Sequence, residues 1–562
     1  MIAAIKKQFT NMSSQCIQCQ QAFQITDSDQ AYYERIQVPA PVLCPLCRLQ
    51  RRYNLRNERV LYNRQCDLTG KPIVTIFAPD SPHTVYSQEA WWSDDWDQMQ
   101  YGQAVDFTQP ILKQLKAIQL KQPRLALLGK DSENSEYTNH SAHNKDCYLG
   151  FSLDNCEKVF YGYMSWDSSY LVDCSYMYDH SEMSYQCFYC HKCYGCRYLT
   201  LGRGCTDVSF SFDMSGCEHC FLSWNLRNKK YCFMNEQLSE TAYHQRVAEF
   251  NDMTDQQQTT LIQQWQDIIK HKAIHRSSQQ VNVSDSTGNY MTNCHAVQNG
   301  YYISDCENSA YLMQGVRMKD CMDCSNVAPA EAGYEMTGAI NTNHSKFVNY
   351  SYDNQFIEYC DHVFNSQNMF ACVGLNKKKF CILNKQYTEP EYQRLKEQVM
   401  AYMKTTGEYG SFFPFWYSPF AYNETVAYDL LPLNKADALA LGASWRDSLD
   451  PKAPPADAVQ ANDLPDRISA TERDILSKTM ICSVSQRPYR IQLEEFNIYK
   501  QLGVPLPRKH PEVRFQERLQ QRTKPQLYHR QCDHCHKELI STFAPGCSET
   551  VYCDSCYQAA IY

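Results

Sequence analysis

The chain has 562 residues, including 29 cysteines and 40 tyrosines, with 43% hydrophobic residues and a formal net charge of −8. This length predicts several domains, and the apolar content is sufficient for a buried core. A mildly acidic chain is not expected to coat nucleic acid non-specifically, and no apolar run is long enough to span a membrane. Residues 1–15 lack a signal-peptide core, so abundant cysteine without an export signal predicts a reducing cytoplasm.

The two ends of the chain are copies of one another. Residues 15–92 align without a gap with residues 481–558, at a constant offset of 466. Such a run of matched rare residues predicts an internal duplication. The matched positions include Cys16 with Cys482, Pro39 with Pro505, Arg48 with Arg514, and Cys66 with Cys532.

Each copy contains two sets of candidate metal ligands and keeps only one set intact. The N-terminal copy keeps the first set, which is Cys16, Cys19, Cys44 and Cys47. The C-terminal copy keeps the second set, which is Cys532, Cys535, Cys553 and Cys556. The first set of the C-terminal copy is reduced to Cys482, Ser485, His510 and Val513. The second set of the N-terminal copy is reduced to Cys66, Thr69, Ser87 and Ala90.

Two Cys-x2-Cys pairs at such spacing can close a tetrahedron of thiolates around zinc. We therefore predict two zinc ions, and both sites are structural because four protein ligands leave no position for water. Disulfides or a redox-active Cys-x2-Cys pair are the alternatives, but two pairs per site favour a metal. The reduced sets are expected to hold no metal, although His510 beside Cys482 is an alternative ligand.

Cysteine, tyrosine, aspartate and asparagine dominate the middle of the chain, where cysteines recur at intervals of 12 residues. Small and aromatic residues at a fixed step predict a parallel β-solenoid. Aspartate or asparagine often precedes the cysteine, which suits a tight turn with left-handed backbone. One or two 12-residue units could form a coil, and two are favoured because a 12-residue coil is very narrow. The cysteines fit a buried packing column better than a metal store or redox surface.

Helices are predicted at the ends of the repetitive blocks. Thr108-Gln-Pro110 begins one helix that ends near Leu120. Ser239 and Thr388 are N-cap residues of helices that run to about His275, with a break, and to about Lys404. Each of these helices follows a block and is expected to cap its exposed last coil. A capping box at residues 469–472 predicts a further short helix to about residue 480.

The predicted fold is mostly β, with a duplicated parallel β-solenoid core and capping helices, flanked by homologous zinc-ribbon modules at both ends. Seven regions follow from this pattern. They are an N-terminal zinc-ribbon module (1–100), a helical connection (101–136), solenoid block 1 (137–236), helices (237–280), solenoid block 2 (281–387), a helix with an aromatic segment and a Pro/Ala/Asp-rich linker (388–480), and a C-terminal zinc-ribbon module (481–562).

Several motifs resemble a known family. Residues 38–48, Val-Pro-Ala-Pro-Val-Leu-Cys-Pro-Leu-Cys-Arg, look like the zinc-ribbon domain of many bacterial proteins of unknown function. Residues 528–532 and 543–557 are similar to the tail motif of an uncharacterised zinc-ribbon family common in candidate-phyla bacteria, and Cys232 and Cys381 end its middle motif. The resemblance implies zinc and a recurring architecture, but no activity. His536 departs from the family, which usually has glycine there.

Arginines follow both ribbon motifs and suggest a nucleic-acid interface. Zinc ribbons with neighbouring arginine and aromatic residues often grip RNA or DNA through phosphate contacts and stacking. The alternative is a basic helix face that is solvated or paired with the acidic solenoid. The candidate residues are Arg48, Arg51, Arg52, Arg56, Arg514, Arg518 and Arg522.

No catalytic signature occurs in the sequence, which lacks a P-loop, GxGxxG, GxSxG or HExxH motif. The favoured function is therefore a non-enzymatic zinc-binding scaffold whose two modules bind macromolecular partners, most simply proteins. An RNA- or ribosome-associated zinc protein is the first alternative. A β-helix enzyme acting on carbohydrate is the second, and it rests on fold analogy alone. No membrane partner is expected, and the sequence leaves the oligomeric state open.

Overall fold

The computed structural model describes residues 12–447 and 455–562. Most of the regular structure is β-strand, arranged in two large sheets whose strands pair mainly in parallel. The predicted mostly-β class is confirmed at this level. Two parts of the predicted regions lie outside the described residues: residues 1–11 of the N-terminal module and residues 448–454 of the linker.

Each end module is built on two short antiparallel hairpins. In the N-terminal module they pair Met12–Gln15 with Ala22–Ile25, and Tyr62–Gln65 with Pro72–Thr75. In the C-terminal module they pair Met480–Ile481 with Pro488–Tyr489, and Tyr528–Gln531 with Glu538–Ser541. Short parallel pairs tie the modules to the rest of the chain: Val85–Tyr86 with Arg124–Leu125, Ile274–Arg276 with Thr550–Tyr552, and Val459–Gln460 with Met480–Ile481.

The described residues contain twelve α-helices, most of them short. They are α1 (Asp27–Arg35), α2 (Pro45–Tyr53), α3 (Gln88–Trp92), α4 (Ile111–Lys121), α5 (Glu240–Val247), α6 (Asp255–Asp267), α7 (Glu389–Thr405), α8 (Val426–Leu430), α9 (Lys435–Ala440), α10 (Leu493–Leu502), α11 (Pro511–Leu519) and α12 (Asp554–Ile561).

The helix predictions are mostly confirmed. α4 and α7 match their predicted bounds closely, and the helix after Ser239 is divided into α5 and α6 as expected. This last helix ends earlier than predicted, because a π-helical turn at Ile268–Lys272 follows α6. The short helix predicted after residue 469 is wrong, since the chain forms only 3-10 turns at Ile468–Ala470 and Arg473–Ser477.

Block 1 forms a 14-stranded sheet. Its strands are Gly129–Lys130, Ser141–Ala142, Phe151–Asp154, Glu157–Phe160, Tyr163–Trp166, Ser169–Val172, Ser175–Tyr178, Glu182–Tyr185, Phe188–His191, Arg197–Arg203, Thr206–Ser215, Glu218–Phe221, Lys230–Phe233 and Glu236–Gln237. All of these strands pair in parallel except the last, which folds back on its neighbour.

Block 2 forms a 13-stranded sheet with the same parallel character and the same antiparallel last strand. Its strands are Gln280–Ser284, Gly288–Ser304, Glu307–Val316, Met318–Lys319, Met322–Ser325, Ala330–Glu331, Gly333–Thr337, Ile340–Asn343, Ser345–Asn349, Tyr352–Asp361, Gln367–Phe370, Lys379–Ile382 and Lys385–Gln386.

The register of the sheets gives the length of the repeat. Val208 pairs with Cys220, and Cys220 pairs with Cys232, so paired residues lie 12 apart along the chain. The favoured repeat of two 12-residue units is therefore wrong. One step differs, because Ser169 pairs with Glu182, which is 13 residues further on. Pairing over so short a step is sterically feasible because the backbone turns sharply several times within each repeat.

Left-handed backbone recurs at every third residue through long stretches of both blocks. In block 1 it occurs at Asn155, Lys158, Tyr161 and Met164 in succession. Only glycine, asparagine and aspartate adopt this conformation readily, and other residues cost about 1–2 kcal/mol each, which the regular hydrogen bonds must offset. The aspartates and asparagines predicted to turn before cysteine all have positive φ: Asp146, Asn155, Asp173, Asn293, Asp305 and Asp320.

The interiors of both blocks are filled by cysteine, methionine, leucine and valine. Eighteen cysteines lie between Cys147 and Cys381, and all are buried and free in the described chain. Their thiols donate to backbone carbonyls, as Cys156 Sγ does to Ser165 O at 3.2 Å. These observations agree with the predicted column of small packing side chains, which satisfies its weak donors internally.

The end modules dock crosswise on the two blocks. The N-terminal module lies on block 2, where Arg48 Nε and Arg52 Nη1 donate to the two oxygens of Asp323, at 2.9 and 3.1 Å. The C-terminal module lies on block 1, where Arg514 and Arg518 donate to the two oxygens of the single carboxylate of Asp173. All six side chains are almost fully buried, so each aspartate is a charged anchor inside the molecule.

Other contacts repeat across the two docking surfaces. Tyr33 packs on Tyr334 in the first, and Tyr499 packs on Tyr185 in the second, with ring centroids 5.8 and 5.4 Å apart. A tyrosine of the block also donates to an acidic residue of each module's helix. These bonds join Tyr311 to Asp29 at 2.9 Å and Tyr161 to Glu495 at 3.0 Å.

We predict that Asp173→Asn weakens the docking of the C-terminal module. The amide would leave Arg514 and Arg518 buried without their carboxylate, which typically costs roughly 3–5 kcal/mol. Hydrogen exchange of the backbone amides of α11 should therefore become faster, because local opening of the module costs less free energy.

The matched control is Asp179→Asn, at an exposed position of the same block where the carboxylate faces His191. Exposed pairs of this kind contribute about 0–1 kcal/mol, so the exchange of α11 should not change. Equal exchange of α11 in the Asp173 variant and the unaltered protein would show that the buried pairs do not hold the module.

Candidate metal centres

The first intact set forms a compact group of four thiols. The Sγ atoms of Cys16, Cys19, Cys44 and Cys47 all lie within 4.8 Å of one another. Cys19 Sγ and Cys44 Sγ are 3.7 Å apart, close to the edge of about 3.8 Å expected for four sulfurs at about 2.3 Å from one ion. Cys19 is exposed and the other three side chains are buried.

The second intact set repeats this geometry at the other end of the chain. Its four Sγ atoms also lie within 4.8 Å of one another, and Cys535 Sγ is 3.7 Å from Cys553 Sγ. Here Cys535 is exposed and Cys556 is half-buried. In the described ranges these are the two groups of at least three metal-ligating side chains with such proximity.

A hairpin turn and a helix start position the ligands of each group. The first Cys-x2-Cys pair lies in a turn that Gln20 N closes by donating to Cys16 O, and His536 N to Cys532 O. Gln20 and His536 have φ near +60° there. His536 thus adopts the left-handed turn that glycine usually supplies, and the knuckle geometry is retained.

The third ligand of each group is an N-cap residue. Cys44 precedes α2 and Cys553 precedes α12. The unpaired N–H groups at a helix start favour a thiolate over a thiol. At Cys532 burial raises the pKa, but the backbone N–H groups of Cys535 and Cys553 outweigh it, so the pKa falls below its usual value.

The reduced sets keep the first cysteine and replace the metal by hydrogen bonds. Ser87 N donates to Cys66 Sγ at 3.3 Å, and His510 N donates to Cys482 Sγ at 3.1 Å. Cys553 N makes the equivalent bond to Cys532 Sγ in the intact C-terminal group, at 3.2 Å. The local backbone of a ligand turn therefore persists where the ligand set is lost.

The side chain of His510 does not face Cys482 as a ligand. Its Nδ1 accepts a hydrogen bond from Glu512 N at 3.0 Å, so the imidazole caps α11. Burial lowers the pKa of His510 to about 3, which keeps the ring neutral as this role requires. The two remaining positions carry Ser485 and Val513, which cannot complete a thiolate tetrahedron.

The donor chemistry of both intact groups fits a metal ion. Four thiols at this separation match the tetrahedral thiolate sites that divalent metals such as zinc prefer. Four protein ligands fill the coordination sphere, so an ion bound there has a structural role. An ion would also replace thiol repulsion and hydrogen bonds by metal–sulfur bonds, which couples binding to the folding of the small modules.

The arginines predicted to contact nucleic acid lie in the protein interior. Arg51 donates to both oxygens of Glu335, and Arg56 to Glu58, while Arg522 packs against the rings of Tyr176 and Tyr302. In this structure none of them can reach a phosphate, which corrects their assignment as contact residues. Each residue of the full set is at most 8% exposed: Arg48, Arg51, Arg52, Arg56, Arg514, Arg518 and Arg522.

Sequence reasoning missed Asp173 and Asp323, the partners of four of these arginines. Both residues stand among many similar aspartates at left-handed turns. The signal that could have found them is the pairing of two arginine clusters with two matched acidic positions in the duplicated blocks. Burial of a carboxylate, however, is not written in a local pattern.

No protein-family model matches the chain, and no curated protein matches it. One solved structure with partial similarity is that of a "putative acetyltransferase" from Desulfovibrio desulfuricans G20, at 10% identity and a TM-score of 0.12. The match covers 43% of this chain and 63% of that chain. A TM-score this low supports no conclusion on fold or function. In the described ranges, no helix is both long and apolar enough to cross a membrane.

We predict that Cys532→Ser removes one of two bound metal ions and opens the C-terminal ribbon locally. The ribbon has little core of its own, so metal binding and its folding are linked. The metal-to-protein ratio measured by mass spectrometry should fall by half, and limited proteolysis should cut between residues 528 and 562.

Thr69→Ala is the matched control, because Thr69 occupies in the reduced set the position that Cys535 occupies in the intact one. Its metal content should equal that of the unaltered protein. Loss of metal from the Thr69 variant, or a full metal complement in the Cys532 variant, would mean that the ligands are wrongly assigned.

Proposed function

We propose that the protein is a non-enzymatic zinc-binding scaffold that presents two zinc modules, at fixed positions, to macromolecular partners. The crosswise docking is the observation that carries this proposal. Two pairs of arginines from the modules grip two buried aspartates of the central blocks. Such buried charged contacts orient the modules on a common core, as a scaffold requires.

Zinc is the metal that the donor set favours. Sites with four thiolates select zinc or iron among common metals, and two Cys-x2-Cys pairs in a hairpin-and-helix module are typical of zinc ribbons. The ordinary S–S separations of both groups leave room for one ion each. The resemblance to a bacterial zinc-ribbon family supports the same choice.

The central blocks are proposed to be a duplicated parallel β-solenoid with one coil per 12 residues. The support is the constant spacing of paired residues and the left-handed turns at every third residue. The helices that follow each block, α5 and α7, pack against its last parallel strand, which supports a capping role. Block interiors of small and sulfur-containing side chains suit a narrow rod.

The partner is proposed to bind on the exposed side of the zinc modules. Ile17 and Val42 beside the first cysteine group are 65% and 55% exposed, and Ile17 N donates to Val42 O. Two adjoining apolar side chains next to an exposed knuckle suit contact with a protein, since apolar contacts dominate the centres of protein interfaces. The burial of the predicted arginines makes RNA the weaker alternative.

The test is an affinity purification of tagged protein from an extract of its own cells, divided into nuclease-treated and untreated halves. We expect a protein partner that survives nuclease treatment. It should be lost with Ile17→Asp and kept with Ile340→Asp, which changes a comparably exposed apolar residue on block 2. Ribosomal proteins or RNA that disappear with nuclease would instead favour the RNA-associated alternative.

A further inference from the structure

A cavity of about 480 Å³ lies where both end modules meet block 1 and the segment around α8. Its walls come from four parts of the chain. The N-terminal module contributes residues 58–61, block 1 contributes Phe151 and Tyr161, and the C-terminal module contributes residues 510–516. The fourth wall is residues 423–429. This volume suits a small organic molecule.

Two carboxyl groups in this cavity lack a full set of partners. Glu58 is 1% exposed, and its Oε1 pairs with Arg56 while its Oε2 has no hydrogen-bond partner among the described residues. Asp429 accepts a hydrogen bond from Gln516 Nε2 at 2.9 Å. Within the described ranges, no ion pair joins Asp429 to a basic side chain.

The nearby guanidinium group of Arg59 is already committed. It forms an ion pair with Glu512 and lies over the ring of Phe515. Burial raises the pKa of Asp429 well above its usual value, against the opposing influence of Arg59, and Glu512 and Glu58 add to the rise. A carboxyl group in this state has too little positive charge around it, and a cation placed nearby would favour its ionised form.

Aromatic rings complete the chemistry of the cavity. Phe151, Tyr161, Tyr428 and Phe515 line it beside the carboxyl groups. Carboxylates together with π faces form the usual recognition surface for an ammonium group. We propose that this cavity is a binding site for a small organic cation, a primary amine or diamine held by Asp429 and Glu58 and flanked by the aromatic rings.

The site connects with the reduced metal set of the C-terminal module. His510 and Glu512 occupy the positions of Cys44 and Leu46 in the N-terminal copy, and both line the cavity. The loss of thiolate ligands therefore coincides with a wall of polar side chains. In the N-terminal copy the same turn carries the intact cysteine group. One copy of the turn is thus assigned to a metal and the other to an organic ligand.

The experiment is calorimetric titration of the full-length protein with 1,4-diaminobutane at neutral pH and constant ionic strength. The matched probes are 1,4-butanediol and succinate, which have the same chain length but carry neutral or negative ends. We expect diaminobutane to bind at least about tenfold more tightly than either probe. Asp429→Asn, which keeps shape and removes the charge, should weaken its binding by at least about tenfold.

Asp179→Asn is the control variant, since this exposed acid lies outside the cavity lining. It should bind diaminobutane as the unaltered protein does. Metal content and melting temperature of each variant establish that the fold is intact. The proposal is overturned by absence of binding at about 10 mM diaminobutane, by equal binding of the diol, or by full binding in a folded Asp429→Asn protein.

Discussion

Two buried aspartates, each held by two arginines from an end module, are the contacts on which the rest of this molecule depends. Asp173 and Asp323 anchor the end modules, and the two four-cysteine groups and the cavity walls take their positions from that docking. Removing charges from water costs nearly as much as the ion pairs return, so their main contribution is orientation. A misplaced module would leave guanidinium groups buried without partners, which is far less stable than the observed arrangement.

The two end modules show how a metal site can be lost without loss of the local fold. In both reduced sets a backbone N–H still donates to the remaining sulfur. Helices α2 and α11 have the same length and begin at equivalent positions, although only α2 follows a complete ligand set. Packing on the central blocks therefore replaces the metal as the source of stability for those turns.

Local patterns in the sequence predicted much of this structure. Ligand spacing identified both cysteine groups, and helix-start residues placed α4, α5 and α7. The aspartates and asparagines before cysteines were correctly expected at left-handed turns. The repeat length was wrong because it depends on tyrosine, methionine and lysine also adopting that backbone, against their local preference. The arginines were misplaced because a charge pattern does not reveal whether a distant carboxylate buries it.

The crosswise docking has a consequence for synthesis of the chain. Asp173 emerges from the ribosome 341 residues before Arg514, its partner. At roughly 5–20 residues per second, block 1 waits about 20–70 s with a bare carboxylate on a surface meant to be covered. The N-terminal module waits in the same way for block 2. Neither half can finish folding alone, so assembly is delayed until the last module has been translated, and a chain cut short there would expose the uncovered face of block 1.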